Sequence, residues 1–288
     1  MPQSRIVLTA IVLVLALLAT GVASADTTVT VTPADVGSTW FENDTRVGGD
    51  SEFVSGPAAP PLGVGSLQMT TTDIFGASQA KAQMITFAYG SFGVPGAGLA
   101  LADLTALSYW AYRSSGSTNP AAQTVSLNLE VDYAGTGASF TTLVFEPVYN
   151  PAQGPMLTDT WQDWDAYNGG AAVWWSTQSI PGVCAFTCYV SWATILANNP
   201  NARVRFGLGF NVGSGWVGQY SGAADALTVG VSGENTTYDF EPITDAQGPA
   251  VSDVTATPNP AGVGSPVTFS ATADDSANGG SLVTGAQY

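Results

Sequence analysis

The chain lacks histidine altogether and has only six Lys and Arg residues against 22 Asp and Glu residues, a formal net charge of −16 at pH 7. Without histidine, Ser-His-Asp and Cys-His nucleophiles and imidazole-ligated zinc or copper sites are excluded. Nucleic acids and anionic lipids bind proteins through clustered Lys and Arg side chains. A chain with so few cations therefore predicts neither of them as a partner.

Helix formers and cysteine are scarce as well. Glu and Lys together number only seven, whereas Val, Thr, Tyr, Phe and Trp recur in short runs between Gly and Pro, which favours strands and turns. With 45% hydrophobic residues the chain is rich enough in apolar groups to fold.

Cys184 and Cys188 are the only thiols. In an exported protein this pair predicts a local disulfide, and a reactive pair or a metal site is the alternative.

The first 25 residues have the pattern of an export signal. Arg5 is their only cation, residues 6–18 are apolar without interruption, and Ala23-Ser24-Ala25 supplies small residues at the cleavage position before Asp26. The apolar run is too short to span a bilayer. We therefore predict a signal peptide over residues 1–25 and a mature protein that is secreted or displayed at the cell surface, with no membrane insertion after signal removal.

Two segments alternate between apolar and polar residues with the period of a strand. The first covers residues 125–133, and the second is predicted to place Val204, Phe206, Leu208, Phe210 and Val212 on its core face. A short helix is predicted from Ser191, as its N-cap, to Ala197. Further strands are predicted at residues 65–71, 82–89, 104–112, 140–145, 172–176, 227–231 and 238–240.

Many short strands with one apolar face each predict an all-β chain. The expected fold is a two-sheet, jelly-roll-like β-sandwich over residues 26–242 with one short helix. Residues 243–250 are predicted to form a linker. Residues 251–288 are predicted to be the opening strands of a bacterial immunoglobulin-like module, and because such a module takes about 100 residues, we expect this unit to be truncated.

Aromatic residues are concentrated within one stretch of fifteen residues. Sugar rings pack on aromatic faces while neighbouring polar groups bind the hydroxyls, so Trp164, Tyr167 and Trp175 are the candidate ligand-binding residues. Core packing of these rings is the alternative. Trp174 and Trp175 are adjacent, and in a strand their side chains must point to opposite faces. Trp175 is the one predicted to face a ligand.

Calcium is the cofactor that fits the composition best, because it takes oxygen ligands and needs no histidine. Candidate oxygens lie in Glu42-Asn43-Asp44, at Asp50 and at Asp225. The spacing of these acidic residues matches no EF-hand, and a solvated acidic loop is the alternative interpretation.

Glu130 and Asp132 lie two residues apart, so a strand places both on one face. The pair resembles the Glu-x-Asp-x-x-Glu strand of laminarinase-type glycoside hydrolases, but the position of the third acid is occupied by Gly135. Hydrolysis needs a pair of carboxylates at a defined distance. We therefore predict no catalytic residue, and polar residues on an exposed sheet face, opposite Arg203 or Arg205, are the favoured interpretation of the pair.

Four segments resemble secreted bacterial jelly-roll domains of the carbohydrate-binding-module-like type. They are Trp40-Phe41-Glu42, residues 60–67, Trp161-Gln162-Asp163-Trp164 and residues 225–240. In such modules a structural calcium ion commonly joins an acidic residue near the first strand to an aspartate near the last. The resemblance implies that Glu42 and Asp225 are the metal ligands here.

These observations predict a non-catalytic, extracellular carbohydrate-binding or surface-recognition module of a modular bacterial protein. Its expected partner is a polysaccharide or a cell-surface glycan. Two alternatives stay open: a structural or adhesive cell-surface domain without a small ligand, and a polysaccharide hydrolase whose acids are not evident from the sequence.

Overall fold

The computed structural model describes residues 26–72, 79–242 and 250–274. The predicted signal peptide and residues 243–249 of the predicted linker lie outside the described residues. Within the described parts, no helix has the length and apolar character needed to cross a membrane.

Sixteen strands and one short α-helix make up the regular structure of the described residues, together with five 3-10 turns. The helix is α1, Trp192–Asn198. The strands are β1 Thr27–Val31, β2 Trp40–Phe41, β3 Gly49–Ser55, β4 Gly65–Thr71, β5 Lys81–Thr86, β6 Leu104–Arg113, β7 Ser126–Asp132, β8 Thr141–Phe145, β9 Trp161–Asp165, β10 Val173–Ser176, β11 Val190–Ser191, β12 Arg203–Gly213, β13 Tyr220–Val231, β14 Glu234–Phe240, β15 Ala250–Thr257 and β16 Thr268–Asp274.

Two seven-stranded sheets contain most of these strands. The first sheet is centred on β13, which pairs with β6 along one edge and with both β4 and β14 along the other. Beyond these strands, β9 pairs with β6, β3 pairs with β4 and β1 pairs with β14. The second sheet has the order β11-β10-β8-β7-β12-β5-β2. All pairings are antiparallel except that of β1 with β14. The predicted all-β, two-sheet sandwich is confirmed.

The core lies between the two sheets and is rich in aromatic rings. Alternation along each strand sends one set of side chains inward, as with Leu127, Leu129 and Val131 of β7, which are fully buried. The largest buried side chains are Trp40, Trp164, Trp174, Trp192, Tyr109, Tyr220, Phe145, Phe210 and Phe240. Every residue of β7 is buried, its outward polar ones included. The outer face of the second sheet is therefore partly covered as well.

Helix α1 closes one end of the sandwich as the sequence predicts. Ser191 is its N-cap, and the Ser191 side chain accepts a hydrogen bond of 3.2 Å from the backbone N–H of Thr194. Trp192 and Ile195 are buried against the core, and the Trp192 ring lies 5.4 Å from that of Trp174.

The predicted alternation of β12 is wrong at one residue. Val204 pairs with Val131 and Leu208 with Leu129, so two extra residues of β12 bulge outward opposite Glu130. The bulge turns Phe206 out of the core, where its ring contacts Phe92 and Phe140 instead.

Strands β15 and β16 pair with each other and form a small sheet of their own. Residues 275–288 lie outside the described residues. The predicted immunoglobulin-like module stays a prediction.

Candidate functional site

A groove of about 340 Å³ lies on the outer face of the second sheet. Strands β5, β7, β8, β10 and β12 supply its floor, and the loops around Asp44, Phe186 and Trp216 supply its rim. Strand register fixes the floor, since Trp175, Val144 and Asn128 follow one another across β10, β8 and β7. The groove thus combines five strands that are distant from each other in sequence.

Three amides occupy the floor of the groove. Asn211 of β12 lies in register with Gln83 of β5 and next to Ser126 of β7, two residues before Asn128. The exposed fractions of Gln83, Asn128 and Asn211 are only 1%, 6% and 8%. In the described parts of the chain, no group donates a hydrogen bond to the side-chain oxygen of any of the three.

Buried polar atoms in folded proteins almost always have a hydrogen-bond partner, and leaving one without costs about 1–3 kcal/mol. Eleven buried side-chain atoms of the described residues have no partner, and three of them lie together on this groove floor. Gln83 is an example: its backbone N–H and carbonyl both bond to the Thr45 hydroxyl, while its side-chain oxygen stays without a donor. The three oxygens have almost no accessible surface, so a ligand reaches them only when the amide side chains turn toward the groove.

Aromatic side chains flank this polar floor. Trp175 of β10 lies on one side, with the ring of Phe186 5.7 Å from its own. Trp216, in the loop after β12, also lines the groove and packs against Tyr220 at 5.3 Å. The Trp175 indole N–H donates a 2.9 Å hydrogen bond to the Glu146 carboxylate, which fixes the orientation of its ring.

Phe186 reaches the groove from the predicted disulfide loop. Cys184 and Cys188 are bonded to each other, which confirms the pairing, and Phe186 lies midway between them. The Phe186 backbone is left-handed, with φ 59°, and its N–H donates to the Ser176 carbonyl at the end of β10. Although 59% exposed, the ring is thus held beside Trp175 by the loop.

A charged cluster forms one end of the groove around Asp44. The Arg46 guanidinium donates two hydrogen bonds to the Asp44 carboxylate, at 3.0 and 2.8 Å, and the Lys81 ammonium donates a third at 2.7 Å. Hydrogen bonding from Arg46, aided by Lys81, lowers the pKa of Asp44 to about 2. Asp44 is therefore a fully ionised acceptor in neutral solution.

Glu130 is the other carboxylate on the floor, directly opposite the bulge in β12. It is 9% exposed, accepts the backbone N–H of Gly207 within the bulge, and lies 3.5 Å from the Asn43 amide nitrogen. Burial raises the pKa of Glu130, against the opposing effect of the Lys81 charge. Burial also raises the pKa of Glu146, opposed by the hydrogen bond from Trp175.

The backbone positions of Glu130 and Glu146 are separated along the sheet. Glu130 lies opposite Thr142 in the β7–β8 register, and Glu146 follows Thr142 by four residues. At a strand rise of about 3.3 Å per residue, the two glutamates are offset by about 13 Å along the sheet. Glycosidases place their carboxyl groups about 5–9.5 Å apart. Asp132 is bonded to its own turn, where the Ser139 hydroxyl donates to it.

Of the three predicted ligand-binding aromatics, only Trp175 lines the groove. The prediction that Trp164 binds a ligand is wrong. Trp164 lies opposite Tyr109 in the β6–β9 register, and both rings point into the core. It is 1% exposed and cannot meet a ligand at the surface. Tyr167 is half-buried beyond the end of β9, with its ring 6.5 Å from that of Trp192.

The two predicted calcium ligands lie on different sheets. Glu42 follows β2, and its pKa is raised by burial and by the nearby charge of Asp50. Asp225 lies in β13, where its two carboxylate oxygens accept the backbone N–H groups of Phe240 and Leu62 at 3.0 and 3.2 Å. No cluster of three or more Asp, Glu or Cys side chains that could hold a metal ion occurs among the described residues.

Sequence reasoning missed most of the groove. The outward residues of β7 were visible as the polar half of a clear alternation, which was a usable signal for Asn128. Asn211 belongs to the polar half of the alternation in β12 and was visible in the same way. Gln83, Phe186 and Trp216 gave no such signal, because their proximity to Asn128 depends on the pairing of β7 with β12 and of β12 with β5.

Comparison of the chain with models of protein families, with curated proteins and with solved structures finds no match in any of the three. The resemblance to jelly-roll carbohydrate-binding modules therefore stays a prediction.

Proposed function

We propose that this protein is a non-catalytic, extracellular glycan-binding module whose ligand lies in the groove between Trp175 and Trp216. The observation that carries the proposal is the combination, in one groove, of an aromatic rim and a floor of amide and hydroxyl side chains. Sugar hydroxyls pair with amide groups, which both donate and accept hydrogen bonds.

The aromatic rim supports a sugar over other donor-rich ligands. A pyranose ring has an apolar CH face and hydroxyl groups at its edge, so it can pack on an indole while its hydroxyls bond to the floor. Trp175 offers such a face, held in place by Glu146, beside amides and the hydroxyls of Ser126 and Thr142. The groove is open and about 340 Å³ in volume, which suits part of an oligosaccharide.

The two alternatives lack comparable support. A purely structural domain has no use for an aromatic rim above a polar floor. A hydrolase needs a general acid and a nucleophile or base about 5–9.5 Å apart. The backbones of Glu130 and Glu146 are offset by about 13 Å along the sheet, and the Asp44 carboxylate is held by Arg46 and Lys81.

A glycan array followed by calorimetry tests the proposal. We expect at least one glycan to bind, and we expect Asn128→Ala and Trp175→Ala each to weaken its binding by about tenfold or more, equivalent to about 1.4 kcal/mol. Tyr112→Ala is the matched control, because Tyr112 lies on the outer face of the other sheet against Trp161. Thermal melts establish that each variant is folded.

Absence of binding to any glycan would sink the proposal, as would equal losses in Tyr112→Ala and the two groove variants. Release of reducing sugars by the pure protein from a bound polysaccharide would instead favour the hydrolase.

A further inference from the structure

The cations of the groove are both engaged with one carboxylate. Among the described residues, Arg46 and Lys81 are the only cationic side chains that line it, and both donate to Asp44. The remaining guanidinium nitrogen of Arg46 donates to the Ser214 hydroxyl at 3.2 Å. Arg205, behind Phe140, donates to the Ser139 carbonyl and lies over the Phe206 ring. An incoming anion would compete with Asp44 for both cations of the groove.

The carboxylates of the groove are not neutralised in the same way. Glu130 has no cation within salt-bridge distance among the described residues, and Glu146 is bonded to the neutral indole of Trp175. Both lie on the same floor as the three acceptor oxygens. A ligand carboxylate or sulfate placed there would meet oxygen atoms that carry negative charge or lone pairs.

We infer that the groove selects uncharged glycans and rejects those that carry carboxylate or sulfate groups. The inference rests on the proposed function and adds its substrate class. Hydroxyl groups donate to Glu130 and pair with the amides of the floor. An anionic group loses its hydration in a groove whose three carboxylates outnumber its two cations among the described residues. This is discrimination by an unfavourable interaction with the wrong ligand, in addition to favourable contacts with the right one.

Two sources of repulsion have to be separated, because the whole chain carries a net charge of −16. Long-range repulsion is screened when the Debye length falls to about 3 Å in about 1 M salt. Contacts on a buried floor are screened much less. Discrimination that survives high salt therefore belongs to the groove.

The test compares a neutral glycan that binds with the same glycan after oxidation of its C6 hydroxyls to carboxylates. We expect the oxidised form to bind about tenfold more weakly or worse, a difference of about 1.4 kcal/mol or more, both in dilute buffer and in about 1 M NaCl. Glu130→Gln removes the unneutralised carboxylate and should reduce the ratio of the two dissociation constants by about threefold. Glu52→Gln makes the same charge change at an exposed site on β3 and should leave the ratio unchanged.

Oxidised or sulfated glycans that bind as tightly as the neutral form would overturn the inference while leaving glycan binding intact. So would a preference that disappears in high salt. Failure of every glycan to bind is the different result that removes the proposed function and, with it, this inference.

Discussion

At the scale of single residues, Asp225 occupies a fork in the first sheet. Along one edge of β13, Tyr220–Ala224 pair with β4 and Leu227–Val231 pair with β14, and Asp225 lies at the fork between the two partners. Its carboxylate closes this gap by accepting one backbone N–H from each side, those of Leu62 and Phe240. The side chain replaces ladder hydrogen bonds that the fork removes.

Burial raises the pKa of Asp225 to about 7, against about 3.9 in an unfolded chain. The folded state then binds the proton more tightly, so between about pH 4 and pH 7 the contribution of Asp225 to stability falls as the pH rises. Asp225→Asn should remove this part of the slope, at most about 1.4 kcal/mol per pH unit. Urea unfolding of both proteins across this range measures it. Identical slopes in the two proteins would contradict the assignment.

The Glu42–Asp225 calcium site is tested by melting the protein with and without a chelator. Because both Asp225 oxygens already accept backbone N–H groups, we expect the midpoint to stay unchanged. A lower midpoint in chelator that calcium restores, and that Asp225→Asn abolishes, would instead establish the calcium site.

Residue-level predictions from the sequence succeeded where local geometry decides the outcome. Adjacent residues of a strand point to opposite faces, so at most one of Trp174 and Trp175 could belong to the core, and Trp174 does. Trp164 could not be placed in this way. Its direction depends on β9 pairing with β6, and no local pattern in residues 161–165 reveals that partner.

Among the structural elements, the disulfide loop has a direct link to the groove. In the chain-entropy model, a five-residue loop contributes only about 2 kcal/mol to stability. Its position matters more, because it holds Phe186 beside Trp175.

Reduction of the disulfide should therefore weaken glycan binding by about threefold or more while the protein stays folded. The measurement is calorimetry of the wild type with and without dithiothreitol. The double variant Cys184→Ser/Cys188→Ser serves as the control, and its affinity should match that of the reduced wild type and not respond to the reagent. Equal affinity of the oxidised and reduced wild type would show that the loop does not shape the site.

Strand β12 depends on glycine where it crosses the centre of the second sheet. A Cβ atom on Gly209 would collide with the backbone carbonyl of Met84 in β5, which cannot move without disturbing the ladder. Gly209→Ala should thus destabilise the protein by about 1–3 kcal/mol. Gly116→Ala is the control, since only the Ser114 hydroxyl lies near its Cβ position. Chemical denaturation compares the free energies of unfolding of the two variants. Equal values would contradict the close contact between Gly209 and the Met84 carbonyl.

The same strand marks the limit of sequence reasoning at this scale. The alternation of apolar and polar residues predicts the position of β12 correctly. It does not reveal the bulge that turns Phe206 out of the core, because Phe206 is apolar and stands where the alternation expects an apolar residue. The bulge is stabilised by distant partners: the backbone N–H groups of Ser91 and Phe92 both donate to the Arg205 carbonyl. Short strands such as β2 and β11 were missed for the same reason, since their partners define them.

For the whole molecule, the sequence was sufficient for the class of fold and insufficient for the site. Alternating apolar faces can be buried only by stacking two sheets, and this held whichever strands paired. The groove requires the actual order β10-β8-β7-β12-β5, in which neighbours in space come from every part of the chain. Composition carries no information about that order.

The sandwich and the C-terminal hairpin should be separable. Strands β15 and β16 form a sheet of their own, and every described residue that lines the groove precedes residue 217. A chain that stops after Pro242 should therefore melt within about 3 °C of the full chain, the shift that about 1 kcal/mol causes in a domain of this size. Its affinity for the glycan identified on the array should also be unchanged.

Calorimetry and thermal melts of the two chains test both points, with Trp175→Ala in the shortened chain as the binding control. A large drop in midpoint would mean that the C-terminal segment contributes to the sandwich, and a loss of affinity at constant midpoint would mean that it contributes to the site.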